Sequence, residues 1–178
     1  MNKLLLWCAT GTCLALTAMT SPDVSAESVR KFSRSNAAGG TTDGSRRVVT
    51  GPNGGTSASR RVIRSDGEGN ATAGTGRVWT SPNGGVGGRA GHTTVGADGS
   101  VEHRSGVATS GAKGSVSSQG SSQRDAEGNV TGARTTNATN AATGNSYQGQ
   151  TSYDKATGVS HSASCFDAAG NAIACPSR

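Results

Sequence analysis

The sequence predicts an all-β protein, an antiparallel meander of about ten or eleven strands built from repeats of about 15 residues. Three observations predict it. First, Gly54, Gly69, Gly84, Gly99 and Gly114 are spaced 15 residues apart, and Gly128, Gly144, Gly158 and Gly170 follow at intervals of 14, 16, 14 and 12. A fixed period of this kind marks a repeat architecture. Second, each of these glycines follows two turn-forming residues, as in Pro52-Asn53-Gly54, Pro82-Asn83-Gly84, Ala97-Asp98-Gly99 and Ala126-Glu127-Gly128. Two residues in the right-handed region followed by glycine in the left-handed region make a type I turn with a glycine bulge, a common three-residue hairpin loop. Proline presets φ at the first position, and Asn or Asp suits the second. Third, the segments between turns show no 3.6-residue apolar period and are full of glycine, which excludes helices.

The N-terminal element is a targeting segment. Lys3 gives a short positive region, Leu4-Leu5-Leu6-Trp7 opens an apolar stretch that runs to Met19, and Val24-Ser25-Ala26 offers small residues for signal peptidase. Cleavage is expected after Ala26, leaving no membrane span. A retained anchor is disfavoured because the apolar run is shorter than the ~20 residues that a spanning helix needs. Residues 27–41 lack the turn signature and read as a linker. The hairpin domain is then expected over 42–178, with Thr42-Asp43-Gly44 as the first of ten turns of one type.

Between turns lie about 12 residues, enough for a strand of roughly 40 Å. Arg60-Arg61-Val62-Ile63-Arg64, Gly76-Arg77-Val78-Trp79-Thr80 and Thr93-Thr94-Val95 carry the β-branched and aromatic residues that strands favour. Alternation is weak, and hardly present in 115–125 and 145–152, so register is poorly specified by side-chain pattern and strand edges are prone to pair between chains. A β-solenoid is the rival architecture. A membrane barrel is disfavoured by the shortage of aromatic girdle residues, with two Trp, two Tyr and two Phe in the whole chain.

The composition sets low intrinsic stability, or partial disorder, beside this fold. Past residue 26 there is no leucine or methionine, and the large apolar residues are Phe32, Ile63, Trp79, Tyr147, Tyr153, Phe166 and Ile173, with scattered valines. Ordering a residue costs on the order of 1.5 kcal/mol against about 25 cal/mol per Å² of apolar burial, and this chain has little to bury. Cys165 and Cys175 remain after cleavage and are expected to form a disulfide in an oxidising compartment. A metal site using His161, Cys165, Cys175 and Asp167 matches no zinc spacing. Asp66-Gly67-Glu68-Gly69-Asn70 has oxygen ligands but lacks the twelve-residue calcium loop and its terminal glutamate. No cofactor or metal is expected.

Hairpin register, taken literally, lines up arginines. If Gly51 faces Gly55, Arg46 stands opposite Arg60 and Arg47 opposite Ser59. The next two turns set Ser59 opposite Arg77 and Arg77 opposite Arg89. Like charges directly opposite one another are destabilising, so Arg46, Arg47, Arg60, Arg77 and Arg89 are the candidate site for a polyanion such as acidic polysaccharide, lipopolysaccharide phosphate or extracellular nucleic acid. Interleaved aromatics for base stacking are missing. Catalysis has little to stand on. The chain has three histidines, His92, His103 and His161, and no serine in a G-x-S-x-G elbow.

Tyr153-Asp154-Lys155-Ala156-Thr157-Gly158 and Phe166-Asp167-Ala168-Ala169-Gly170-Asn171 resemble the tyrosine-aspartate repeats of large secreted bacterial shell and toxin-delivery proteins. The resemblance covers two of the ten units and implies a secreted β-hairpin repeat; no functional residue carries over. The reading that follows is a non-enzymatic exported repeat protein with a structural or adhesive role at the cell envelope or in the extracellular matrix, able to self-associate through strand edges. The alternatives are a soluble basic module that binds an acidic polymer, and a small secreted hydrolase or inhibitor.

Overall fold

The computed structural model describes residues 26–176, so the targeting segment and most of its expected cleavage site lie outside the described residues. Eleven strands form one open antiparallel sheet in strict chain order. They are β1 (Ala26–Ser35), β2 (Thr41–Thr50), β3 (Thr56–Ser65), β4 (Ala71–Thr80), β5 (Val86–Val95), β6 (Val101–Gly111), β7 (Gly114–Arg124), β8 (Val130–Asn140), β9 (Ser146–Asp154), β10 (Gly158–Phe166) and β11 (Ala172–Ile173). The sheet is a meander and not a solenoid, because each hairpin loop is too short to carry the chain anywhere but back alongside itself. At about 4.8 Å per strand step it is roughly 50 Å wide.

The turns fix this order. In six of them, at 36–40, 51–55, 81–85, 96–100, 125–129 and 167–171, the first residue's N–H donates to the carbonyl four residues on, and the penultimate residue, a glycine, donates back to the first residue's carbonyl. Gly54 and Gly99 sit at φ 80° and 83° in these turns, a conformation that costs any other L-residue about 1–2 kcal/mol. Ten turns of one type are not found. The 66–70 turn also holds Gly67 at φ 80°, the β6–β7 connection is the two-residue Ala112-Lys113, and the β8–β9 loop spans 141–145. The β9–β10 connection is the three-residue 155–157. The 66–70 turn has a glycine at the first triplet position, and the 141–145 loop ends the one 16-residue glycine interval.

Two expectations at the N-terminal end are corrected. Residues 27–41 are not a linker: β1 pairs along its whole length with β2, from Ala26 opposite Thr50 to Ser35 opposite Thr41. Gly44 is not in a turn but inside β2, between Phe32 and Val62. The first turn is instead Asn36-Ala37-Ala38-Gly39-Gly40, with Gly39 at φ 77°. Gly39 lies 15 residues before Gly54, so the period runs one beat further back than the sequence reading placed it.

The sheet is a single layer. Among the described residues the only buried apolar side chain is Cys165 and the only buried polar one is Thr42. Both faces meet water, which is why the strands alternate so weakly: neither face imposes an apolar column. Local cover replaces a core. Phe32 lies over Gly44 and Trp79 over Gly87, each ring occupying the space that a Cβ on the neighbouring strand would fill. The Cys165–Cys175 disulfide, with Cα atoms 5.2 Å apart, ties the chain beyond β11 back to β10.

Candidate functional site: an arginine face

Successive side chains of a strand point to opposite faces, and directly paired residues share a face. The register therefore sorts the arginines. Arg30, Arg46 and Arg60 are consecutive partners on β1, β2 and β3. Four residues further along β1, Arg34 faces Thr42, which faces Arg64. All five project from one face, together with Phe32, which Arg34 approaches to 5.7 Å from the ring centroid. That contact is a cation–π pair worth about 0.5–1 kcal/mol at an exposed site.

The other face carries Arg47, Ser59, Arg77 and Arg89 as consecutive partners across β2 to β5. The predicted register is thus the observed one. The predicted grouping is not, because Arg46 and Arg60 are separated from Arg47, Arg77 and Arg89 by the thickness of the sheet. Five arginines read as one site are two sets. The reason lies in the strand period: Arg46-Arg47 and Arg60-Arg61 are neighbours in sequence and therefore opposites in space.

The two sets also differ in how their charge is met. Arg47 makes a two-pronged ion pair with Glu27, Nε to Oε1 at 2.9 Å and Nη2 to Oε2 at 2.9 Å. Arg77 donates to Ser57 Oγ at 3.3 Å. The face with Arg30, Arg46 and Arg60 has no carboxylate anywhere on β1 to β5; its other residues there are Ala, Ser, Thr, Val, Gly, Phe and one histidine. On this face a shallow depression of about 1070 Å³ is lined by Arg30, Phe32, Arg46 and Arg60. It runs on over Gly76 and Ala90, small residues that leave the middle of the trough low enough for a polymer chain to lie close to the backbone.

Charge is sorted along the chain as well. From 26 to 95 there are ten Lys and Arg against four Asp and Glu; from 96 to 176 there are five against six. Glu27, Asp43 and Glu102 stand in strands, while Asp66, Asp98, Asp125 and Asp167 stand in turns and serve the backbone. Asp66, Asp125 and Asp167 each accept from the side chain of the Asn four residues on, at 2.6, 2.8 and 2.9 Å, and from its N–H. Those asparagine side-chain bonds, with backbone bonds next, hold the three carboxyls below their ordinary value near 3.8. Asp98 is lowered in the same way, first by the Ser100 hydroxyl and then by the Ser100 N–H. No group of three or more His, Cys, Asp or Glu converges among the described residues.

The histidines pair with threonines. His103 Nδ1 lies 2.8 Å from Thr93 Oγ1, His161 Nδ1 2.9 Å from Thr151 Oγ1, and His92 Nε2 3.3 Å from Thr94 Oγ1. Sequence reading missed Arg30, Arg34 and Arg64 as members of the arginine face. Arg30 and Arg34 were lost with the supposed linker, and the signal that recovers them is Gly39, one period before Gly54. No known protein family, curated protein or solved structure matches this chain.

Proposed function

We propose that this protein is a non-enzymatic adhesive module that lies along an acidic polymer, an acidic polysaccharide or the phosphate-bearing surface of lipopolysaccharide, in the cell envelope or extracellular matrix. The observation that carries this is the face holding Arg30, Arg46 and Arg60 in direct register, with Arg34 and Arg64 beside them and no carboxylate on the same face of five strands. Like charges on directly opposite residues of neighbouring strands repel one another. A chain of carboxylates, sulfates or phosphates relieves that repulsion and accepts the paired N–H donors that arginine presents to such groups. Export fits the disulfide, which persists in oxidising compartments. Among the described residues no helix is long and apolar enough to cross a membrane.

Retention on alginate-type and heparin-type resins, eluted by a salt gradient, tests the reading. Binding through several arginines falls steeply as salt rises. The double variant Arg46→Ala with Arg60→Ala should elute at much lower salt than the unaltered protein, while Arg77→Ala with Arg89→Ala, on the opposite face, should elute close to it. Equal losses from both pairs would show net charge and not the arginine face to be the binder.

A further inference from the structure

The sheet has two open edges, and they differ. The outer edge of β1 is exposed over all ten residues and carries Arg30, Lys31 and Arg34. The outer edge of β10 is exposed over residues 158–164, carries no Asp, Glu, Lys, Arg or Pro there, and is covered only at Cys165 and Phe166, by β11. Native sheets blunt such edges with charge, proline or a covering segment. Here β1 has charge and most of β10 has none of the three.

We infer that β10 of one copy accepts β1 of the next, so that copies add head to tail into one continuous sheet. Direction permits it. Nine antiparallel steps separate β1 from β10, so the two run in opposite directions, and a second copy in the same orientation brings its β1 antiparallel to β10. No flip is needed, and the arginine faces of successive copies fall on the same side.

Hydrogen-bond phase permits it too. Asp167 N–H donates toward β11 at Asn171, so by the alternation of an antiparallel ladder Val159, His161 and Ala163 aim their N–H and C=O groups outward. Asn36 N–H donates toward Gly40, so Val29, Lys31 and Ser33 aim theirs outward from β1. Continuing the sheet's own register sets Ala163 opposite Val29, His161 opposite Lys31 and Val159 opposite Ser33 of the next copy. Each outward group then meets an outward group. β11 takes the space where Ala26 and Glu27 of the incoming strand would fall, which stops the register from sliding.

The competing pairings are weaker. β1 on β1 brings the cations of two copies together. β10 on β10 is a closed dimer that leaves both β1 edges open, whereas the head-to-tail contact covers both kinds of edge and, being heterologous, does not close. This inference is independent of polymer binding and stands or falls without it.

Proline at an outward position removes a donor from the edge without touching the ladder behind it. Ala163→Pro should disable the β10 edge and Lys31→Pro the β1 edge. In sedimentation at physiological salt, the unaltered protein should grow with concentration beyond a dimer. Each variant alone should stay monomeric, and their mixture should form a one-to-one dimer, since each still offers one intact edge. An unaltered protein that stays monomeric at every concentration overturns the inference whatever the variants do. Dimerisation of Lys31→Pro by itself would overturn it in favour of β10 on β10. Far-ultraviolet circular dichroism shows whether each variant has kept its sheet.

Discussion

Single residues in this protein act mainly through backbone geometry, because almost none is buried. The glycines divide by task. Gly99, at φ 83° with open space where a Cβ would stand, is needed for its dihedral. Gly99→Ala should destabilise the sheet by about 1–2 kcal/mol. Gly76, in mid-strand on β4, has ordinary φ and room for a methyl group. Gly76→Ala should be neutral or slightly stabilising, since alanine restricts the unfolded chain more than glycine does. Equilibrium urea unfolding of the two variants checks the contrast. Equal effects would mean that the turns do not set the stability.

The turn carboxylates give a second prediction at this scale. Asp66, Asp125 and Asp167 are held below their ordinary value by their asparagine partners. A carboxyl with a lower pKa folded than unfolded contributes stability that is present above its unfolded pKa and is lost as pH falls through the folded one. Acid should therefore loosen the sheet below about pH 4, near the ordinary value of 3.8. The triple change Asp66→Asn, Asp125→Asn, Asp167→Asn should flatten that limb of a pH–stability curve. An unchanged acid limb in the triple variant would remove the turns from the account.

At the scale of elements the hairpin is the unit, and neighbouring turns on the same end are stitched sideways. The Asn36 side chain donates to the Ser65 carbonyl at 2.6 Å, Ala97 N–H to Asn70 Oδ1 at 2.9 Å, Arg124 to the Gly99 carbonyl at 3.0 Å and Lys155 to the Gly128 carbonyl at 3.1 Å. One row of five turns is thereby linked from β1 to β10. The last element depends on a different device. β11 has two paired residues, too few to stay in place alone, and the Cys165–Cys175 bond closes a ten-residue separation around it. By loop entropy that bond is worth about 3 kcal/mol. Cys175→Ser should lower the urea midpoint and speed amide exchange at residues 165–173 while leaving β4 to β7 protected. Exchange accelerated uniformly across the sheet would mean that β11 is not a local unit.

As a whole molecule the protein behaves as a one-dimensional array. Strands touch only their sequence neighbours, so stability is a sum of hairpin and nearest-neighbour terms. A chain lacking residues 71–100 loses β4, β5 and their two turns as one phase-preserving unit. It should fold into a nine-stranded sheet with the same circular dichroism per residue. A disordered deletion variant would show that the array needs all of its strands together. The same openness leaves both faces free for contact. The arginine face thus sits on an extended open sheet, which fits the linear partner proposed for it.

Much of this was legible in the sequence, and what was not had a physical cause. Gly54, Gly69, Gly84 and Gly99, each after two turn formers, determine hairpins of fixed length, and fixed hairpins determine register without help from the strands. That is how the pairing of Arg47, Ser59, Arg77 and Arg89 follows from counting alone. The disulfide between Cys165 and Cys175 was legible as the even pair of cysteines left past residue 26 in a chain expected to be exported. Three things only the tertiary structure decided. That β1 is a strand depends on its pairing with β2, because AESVRKFSRS has no apolar column and a strand of that kind exists only beside a partner. The arginines form two faces because side chains alternate through the thickness of a sheet. The sheet stays open and single-layered because neither face has enough apolar surface to draw a second layer or close a barrel, so the turns, and not a core, hold the molecule in shape.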